Sequence, residues 1–242
     1  MQRDLRFVGL AVPVLLLALV LPSPAHSEAV GGPAPTAQQV LERAFDNRYE
    51  VDTREFLVVE VRGPRAAPSR RRLAIATKRI NGRLHSLGRF LEPDYLRGMT
   101  ILSIENPRGS DDHFVFLREL AKLRRISSSQ RTDAFMGTDL SFEDFERQRV
   151  DDFQIAPLPD SQVAGEPVHV VSAVPRSASG YARVEFRVAR ADAAILETRY
   201  FKRGAQSAYK VIHAPRAHTL RIGAHAMPTR ILVENHARGT QT

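Results

Sequence analysis

Four groupings in this 242-residue chain have side chains that could do chemistry. Eight histidines invite a metal or acid–base role, and His213, His218, His225 and His236 crowd the C-terminal third. None stands at tight helical ligand spacing with an acidic partner, and the chain has no cysteine to complete a tetrahedral set. These histidines are expected to be structural or at the surface, with no metal bound. Ser127-Ser128-Ser129 offers hydroxyls, but in a polar, basic stretch without the Gly-x-Ser-x-Gly turn that exposes a nucleophile. Asp111-Asp112 and Asp151-Asp152 are paired carboxylates at turns or strand entries, where Asp more often accepts backbone N–H groups. No glycine-rich phosphate cradle follows a strand. The expectation is a non-enzymatic protein with no catalytic residue and no cofactor.

The fourth grouping is Arg124, Arg125 and Arg131. Planar guanidinium forks suit lipid phosphates or an acidic docking surface on a partner. The same arginines have acids close by in Asp133, Asp139, Glu143 and Asp144, and pairing with these would fix the segment that holds them.

The N-terminus reads as an address. Arg3 and Arg6 precede an apolar run from Phe7 to Leu21, and Ala25-His26-Ser27 places small residues where a signal peptidase cuts. The run is about 15 residues, short of the roughly 20 that a spanning helix needs. Residues 1–27 are expected to be a signal peptide cleaved near Ser27, residues 28–35 a Gly/Pro/Ala linker, and residues 36–242 the folded domain, in the periplasm. Net charge is +8, or +7 once Arg3, Arg6 and Asp4 leave with the signal. An exported protein rarely meets nucleic acid, so anionic lipid or an acidic protein is the expected attractor. Without disulfides, stability must come from burial.

One helix and many strands would position these residues. Thr36 and Gln39 have capping-box spacing, and Val40, Leu41, Ala44 and Phe45 follow on one helical face. Strands are expected at 56–61, 73–80, 84–91, 99–104, 114–117, 153–158, 168–174, 181–190, 195–202, 209–213 and 227–234. Asn81-Gly82 marks a hairpin turn. In 181–190, Val184, Phe186 and Val188 alternate with Arg183, Glu185 and Arg187, which predicts one dry and one wet face. The pattern is mainly β with few helices (α+β), a single large curved antiparallel sheet.

Residues 89–105, RFLEPDYLRGMTILSIE, and Phe114 to Phe145 carry a resemblance. The run from Phe135 to Asp144, FMGTDLSFED, behind an aromatic strand and paired arginines, resembles the outer-membrane lipoprotein-sorting protein family, which has a LolA-like fold. The resemblance implies an incomplete β-barrel with the N-terminal helix and a central helical or loop insertion over its mouth. It further implies a carrier or chaperone that binds lipid or lipoprotein acyl chains, working with an inner-membrane exporter or an outer-membrane receptor and touching the membrane transiently. Phe90, Met99, Ile101, Phe114 and Phe116 are then expected on the inner face, with Phe135 and Met136 as a lid; each would equally serve as plain core. Arg124, Arg125 and Arg131 become contacts for a head group or partner. A non-enzymatic regulatory or interaction protein on the same scaffold is the alternative. Phe114 stands where the family usually has Trp, and Leu117-Arg118 where it has Leu-Pro. Relatives usually continue past VENHARGTQT with a further strand, so an open sheet edge, or one that a partner fills, is expected there.

Overall fold

The computed structural model of the chain describes residues 34–49 and 51–242. The expected signal peptide and residues 28–33 of the linker lie outside the described residues.

Thr36 starts the one α-helix among the described residues, α1 (Ala37–Tyr49). The capping box forms as its spacing predicts: Gln39 N–H donates to Thr36 Oγ1 at 3.2 Å, and Thr36 N–H to Gln39 Oε1 at 2.9 Å. Thr36→Ala is expected to destabilise the fold by about 1 kcal/mol, measured by thermal or urea unfolding. Val40, Leu41, Ala44 and Phe45 are all buried, and Phe45 meets Phe186 edge-on at 5.4 Å between centroids.

The strands are β1 (Thr53–Gly63), β2 (Ala66–Ile80), β3 (Arg83–Glu92), β4 (Thr100–Ile104), β5 (Asp112–Leu117) and β6 (Lys122–Arg125), followed by β7 (Phe153–Val163), β8 (Glu166–Pro175), β9 (Arg183–Ala189), β10 (Ile195–Phe201) and β11 (Lys210–His213). The last are β12 (Thr219–Ile222), β13 (His225–Pro228), β14 (Leu232–Asn235) and β15 (Thr240–Gln241). Thirteen form one antiparallel sheet in the order β6-β5-β4-β3-β2-β1-β15-β14-β11-β10-β9-β8-β7, and it does not close into a barrel. Asn81 and Gly82 adopt left-handed φ values of 50° and 76°, which turn β2 directly into β3 with Ile80 opposite Arg83. Ala164-Gly165 does the same between β7 and β8.

Three apolar clusters hold this sheet. Helix α1 packs with Val171, Val184, Phe186, Val188 and Tyr200 on one face of the C-terminal strands. Val168, Val170, Leu196 and Ala226 form a second cluster. In the N-terminal strands, Leu73, Phe90, Ile101 and Val115 pack against Phe142.

Four expectations are corrected. In β5 the buried residues are His113 and Val115, and register sets Phe114 opposite Leu102 and Phe116 opposite Thr100. Phe114 and Phe116 thus face away from the Phe90 layer, because strand alternation puts Ile101 and Val115 on it. The face of β9 expected to be wet is covered: Glu185 and Glu197 are buried in a ladder where Arg187 approaches Glu197 at 3.4 Å and Arg199 donates to Glu197 at 2.6 Å. Long arginine stems shield the carboxylates there. Residues 227–234 are not one strand, since β13 ends at Pro228 and β14 begins at Leu232. The edge after Asn235 is not open. β15 lies between β14 and β1, with Glu234 opposite Gln241 and Gln241 opposite Arg62. The edge strands are β6 and β7.

The β12–β13 hairpin is tied down at its base. Arg216 donates to Asp192 at 2.8 and 3.0 Å and to Glu166 at 2.9 Å. Asn47 of α1 donates to the Asp192 carbonyl at 2.7 Å and accepts the Ala226 N–H at 3.3 Å. Burial pushes the Asp192 carboxyl up, but the Arg216 guanidinium, the Ala194 N–H and the charge of Arg221 together hold it below its ordinary value. A carboxyl lowered on folding stabilises above its ordinary pKa of about 3.9, and that stabilisation is lost as pH falls through the lower folded value. Asp192→Asn should therefore lower stability at neutral pH, and its deficit against the natural chain should shrink as the medium is acidified below about pH 3. Urea midpoints over pH check this.

Candidate functional site

Between β6 and β7 the chain crosses the Phe90 layer as a strap, residues 126–152, built of short 3-10 turns at 128–130, 135–137, 142–145 and 150–152. Its apolar side chains point to the sheet. Phe135 stacks over Phe90 at 6.5 Å and meets Phe142 at 5.5 Å and Phe145 at 4.7 Å between centroids. Met136 and Met99 pack against the same cluster, half-buried. Phe90, Met99, Ile101, Phe135 and Met136 are thus brought together as the sequence predicted. Met136 and Gly137 both take left-handed backbone, at φ 47° and 75°. That is unusual for a residue with a long side chain, and it marks this turn as held by its surroundings.

The acids of the FMGTDLSFED run, and Glu146 beyond it, are buried, and they tie the strap to several parts of the fold, Glu143 and Glu146 sharing Arg131. Asp139 accepts from the hydroxyls of Thr240 (2.5 Å) and Thr242 (2.7 Å), and lies 3.3 Å from Arg238. Glu143 accepts from Arg131 (3.1 Å), the Gly180 N–H (2.9 Å) and the Ser179 hydroxyl. Glu146 takes Arg131 at 2.6 Å and faces His113 at 3.4 Å. Asp144 accepts Lys210 Nζ at 2.7 Å, the Tyr181 hydroxyl at 2.5 Å and the Ser141 N–H at 2.7 Å.

Lys210 is the centre of this last network. Its ammonium also donates to Tyr181 Oη at 2.5 Å and lies over the Tyr181 and Tyr200 rings at 4.6 and 4.4 Å. Burial pushes the Lys210 ammonium down, with Asp144 opposing. Burial, and then the Asp144 charge, hold the Tyr181 phenol well above its ordinary value. Ser141, Asp144, Tyr181 and Lys210 are all buried, and a buried pair with its hydrogen bonds made fixes geometry. Lys210 and Tyr181 lie 66 and 37 residues from Asp144, so no local motif marks them as its partners.

The arginine grouping splits. Arg131 is part of the strap, paired with Glu143 and Glu146 and donating to the Ala178 carbonyl at 2.8 Å. Burial works against its charge, and the two glutamates more than restore it. Arg124 and Arg125 lie exposed on β6, with Arg125 ion-paired to Asp112. Among the described residues no cluster of three or more His, Cys, Asp or Glu could hold a metal. Two open clefts of about 450 and 570 Å³ lie beside Arg62 and Glu234, and beside Thr36 and Phe153. Neither reaches the Phe90 layer, which the strap side chains fill.

A large open antiparallel sheet, with a capped helix and an irregular strap across it, is the LolA-like fold. Three solved structures share it. One is a Vibrio parahaemolyticus domain provisionally assigned to outer membrane lipoprotein sorting, with a TM-score of 0.74 and 21% identity, covering 85% of this chain and 89% of that one. A DUF1329 family protein from Desulfovibrio piger gives 0.75 and 20%, covering 86% and 90%. A LolA superfamily protein from Nitrosomonas europaea gives 0.67 and 20%, also covering 86% and 90%. Residues 82–242 match the model of a family described as "Uncharacterized protein", and the chain belongs to that family. No curated protein matches the sequence.

Proposed function

We propose that this chain is a periplasmic carrier that binds lipid or lipoprotein acyl chains between the strap and the Phe90 layer, for transfer toward the outer membrane. The observation that carries this reading is the kind of cover the apolar layer has. Leu73, Phe90, Ile101 and Val115 lie under short turns and not under a packed helix. The strap is also anchored unevenly. Residues 139–146 are fastened by buried acids, whereas Thr132, Asp133 and Ala134 are exposed, and Phe135 and Met136 rest on the layer by apolar contact. In this reading residues 132–137 lift, releasing the Phe135 N–H from the Leu140 carbonyl (2.7 Å) and the Phe135 carbonyl from the Thr138 N–H and hydroxyl (2.9 and 2.7 Å). An acyl chain replacing Phe135 and Met136 over Phe90, Met99 and Ile101 gains about 0.8 kcal/mol per buried methylene, enough to offset their displacement. The names of two structural neighbours, lipoprotein sorting and LolA superfamily, support the ligand class. In this reading the chain does no covalent chemistry, and an inner-membrane exporter or an outer-membrane receptor is its partner at either end of the journey.

The chain has no tryptophan, so Phe135→Trp installs a single reporter on the strap. A phospholipid with brominated acyl chains should quench it at about one lipid per chain, while Leu220→Trp on the exposed β12 stays bright. Equal fluorescence with and without lipid in folded Phe135→Trp protein would remove this reading.

A further inference from the structure

The two halves of the sheet present opposite outer faces. Across β9 to β11 the outward side is closed by a ladder in which Arg183 and Arg187 hold Glu185, and Arg187 and Arg199 hold Glu197. Across β1 to β6 it is not. Register places Phe56, Val58, Leu87, Phe116 and Leu123 on the side turned away from the Phe90 layer, and every one is exposed, Phe56 at 76% and Leu123 at 67%. The corrected position of Phe114 adds to the same side. The three carboxylates there are each taken by an arginine: Glu60 by Arg62, Glu92 by Arg72 and Asp112 by Arg125. Arg54, Arg70, Lys78 and Arg89 remain exposed on that face without an ion-pair partner among the described residues.

We infer that this outer face of β1–β6 docks on the surface of an anionic phospholipid bilayer. Exposed aromatic and aliphatic groups of this size, on four strands of a six-stranded face, are uncommon on a surface that meets only water. They are not gathered into a groove. They run in rows about 24 Å wide, at about 4.8 Å per strand, interleaved with arginine. A groove would suit a helix or peptide. A second copy of the chain would bring four unmatched positive charges onto four more. A bilayer accepts both features, apolar tips entering the interface while arginine and lysine heads meet lipid phosphates. This surface lies opposite the acyl-chain site, and the inference rests on register, exposure and charge whether or not the chain carries lipid.

The test uses the full chain, which has no natural cysteine. An environment-sensitive dye on Phe56→Cys or on Leu123→Cys is titrated with vesicles containing about 30 mol% phosphatidylglycerol. The dye should shift to the blue at both positions and not on Arg203→Cys, an exposed site outside this face. Each of Arg54→Gln, Arg70→Gln, Lys78→Gln and Arg89→Gln should weaken binding about five-fold. Salt of about 1 M should abolish most of it, since the screening length falls to about 3 Å. Arg43→Gln on α1 serves as a charge control and should change nothing. Absence of the shift with folded protein overturns the inference. So does an equal shift at all three dye positions, an equal loss with Arg43→Gln, or a shift produced by raising protein concentration without lipid, which would assign the face to a second copy. A shift produced by an acidic protein and not by vesicles would assign it to a protein partner and overturn it equally.

Discussion

Lys210→Met is expected to destabilise the fold by about 3–5 kcal/mol, among the largest effects of any single substitution here. The substitution keeps the length of the side chain and removes only the ammonium. Asp144 would then be a buried carboxylate without its cation, still hydrogen-bonded to Tyr181 and Ser141. That orphaned charge is the source of the effect, more than any loss of attraction. The double variant Lys210→Met/Asp144→Asn should recover part of the deficit, so the two substitutions are expected to be clearly non-additive. Urea unfolding of the natural chain, both single variants and the double variant measures this. Additive losses would mean that Lys210 and Asp144 do not depend on each other.

Asp139→Ala should lower stability by about 3 kcal/mol, and its damage should be local. The Asp139 side chain is fully buried, and it gathers two threonine hydroxyls and Arg238 from the last residues of the chain. Those residues hold β15 in place, and β15 joins the two halves of the sheet through one residue pair, Arg62 with Gln241. Freed of Asp139, β15 should fray. Hydrogen exchange should speed up at Val233 and Thr242, whose N–H groups bond each other's carbonyls at 2.8 and 2.9 Å. Amides of β9 and β10, beneath α1, should stay protected. Uniform loss of protection would contradict a local clamp.

These clamps also show what the sequence disclosed. Helix α1 was legible to its cap and its four buried residues, because capping and amphipathic spacing are local signals. Asn81-Gly82 was legible because left-handed backbone selects those residue types. Most strands are legible in the sequence, but β2 begins seven residues before the expected 73 and β7 ends five after 158, and β6, β12 and β15 carry no alternation that marks them. The failures needed information from far along the chain. Which face of β5 is buried depends on register with β4 and on the strap above, so alternation alone points to the aromatic side of Phe114 and Phe116 as the inner one. In β9, alternation of charge suggested water, but the neighbouring strand supplied Glu197 and Arg199 and closed the surface. Asp144 was visible in its motif, yet its partners Lys210 and Tyr181 come from the second half of the chain. A lysine inside a short apolar strand, TyrLysValIleHis at 209–213, was the available hint. It becomes readable only when a buried carboxylate elsewhere requires a cation.

The account depends most on whether the strap makes way for a hydrocarbon guest. Native mass spectrometry of the protein isolated gently from its own cells, followed by extraction of bound lipid, addresses this directly. The expected spectrum contains chains heavier by one acyl-bearing molecule, and Phe135→Asp, which puts a charge against Phe90, should release it. Bare chains alone, from protein that also takes up no added lipid, would contradict the account.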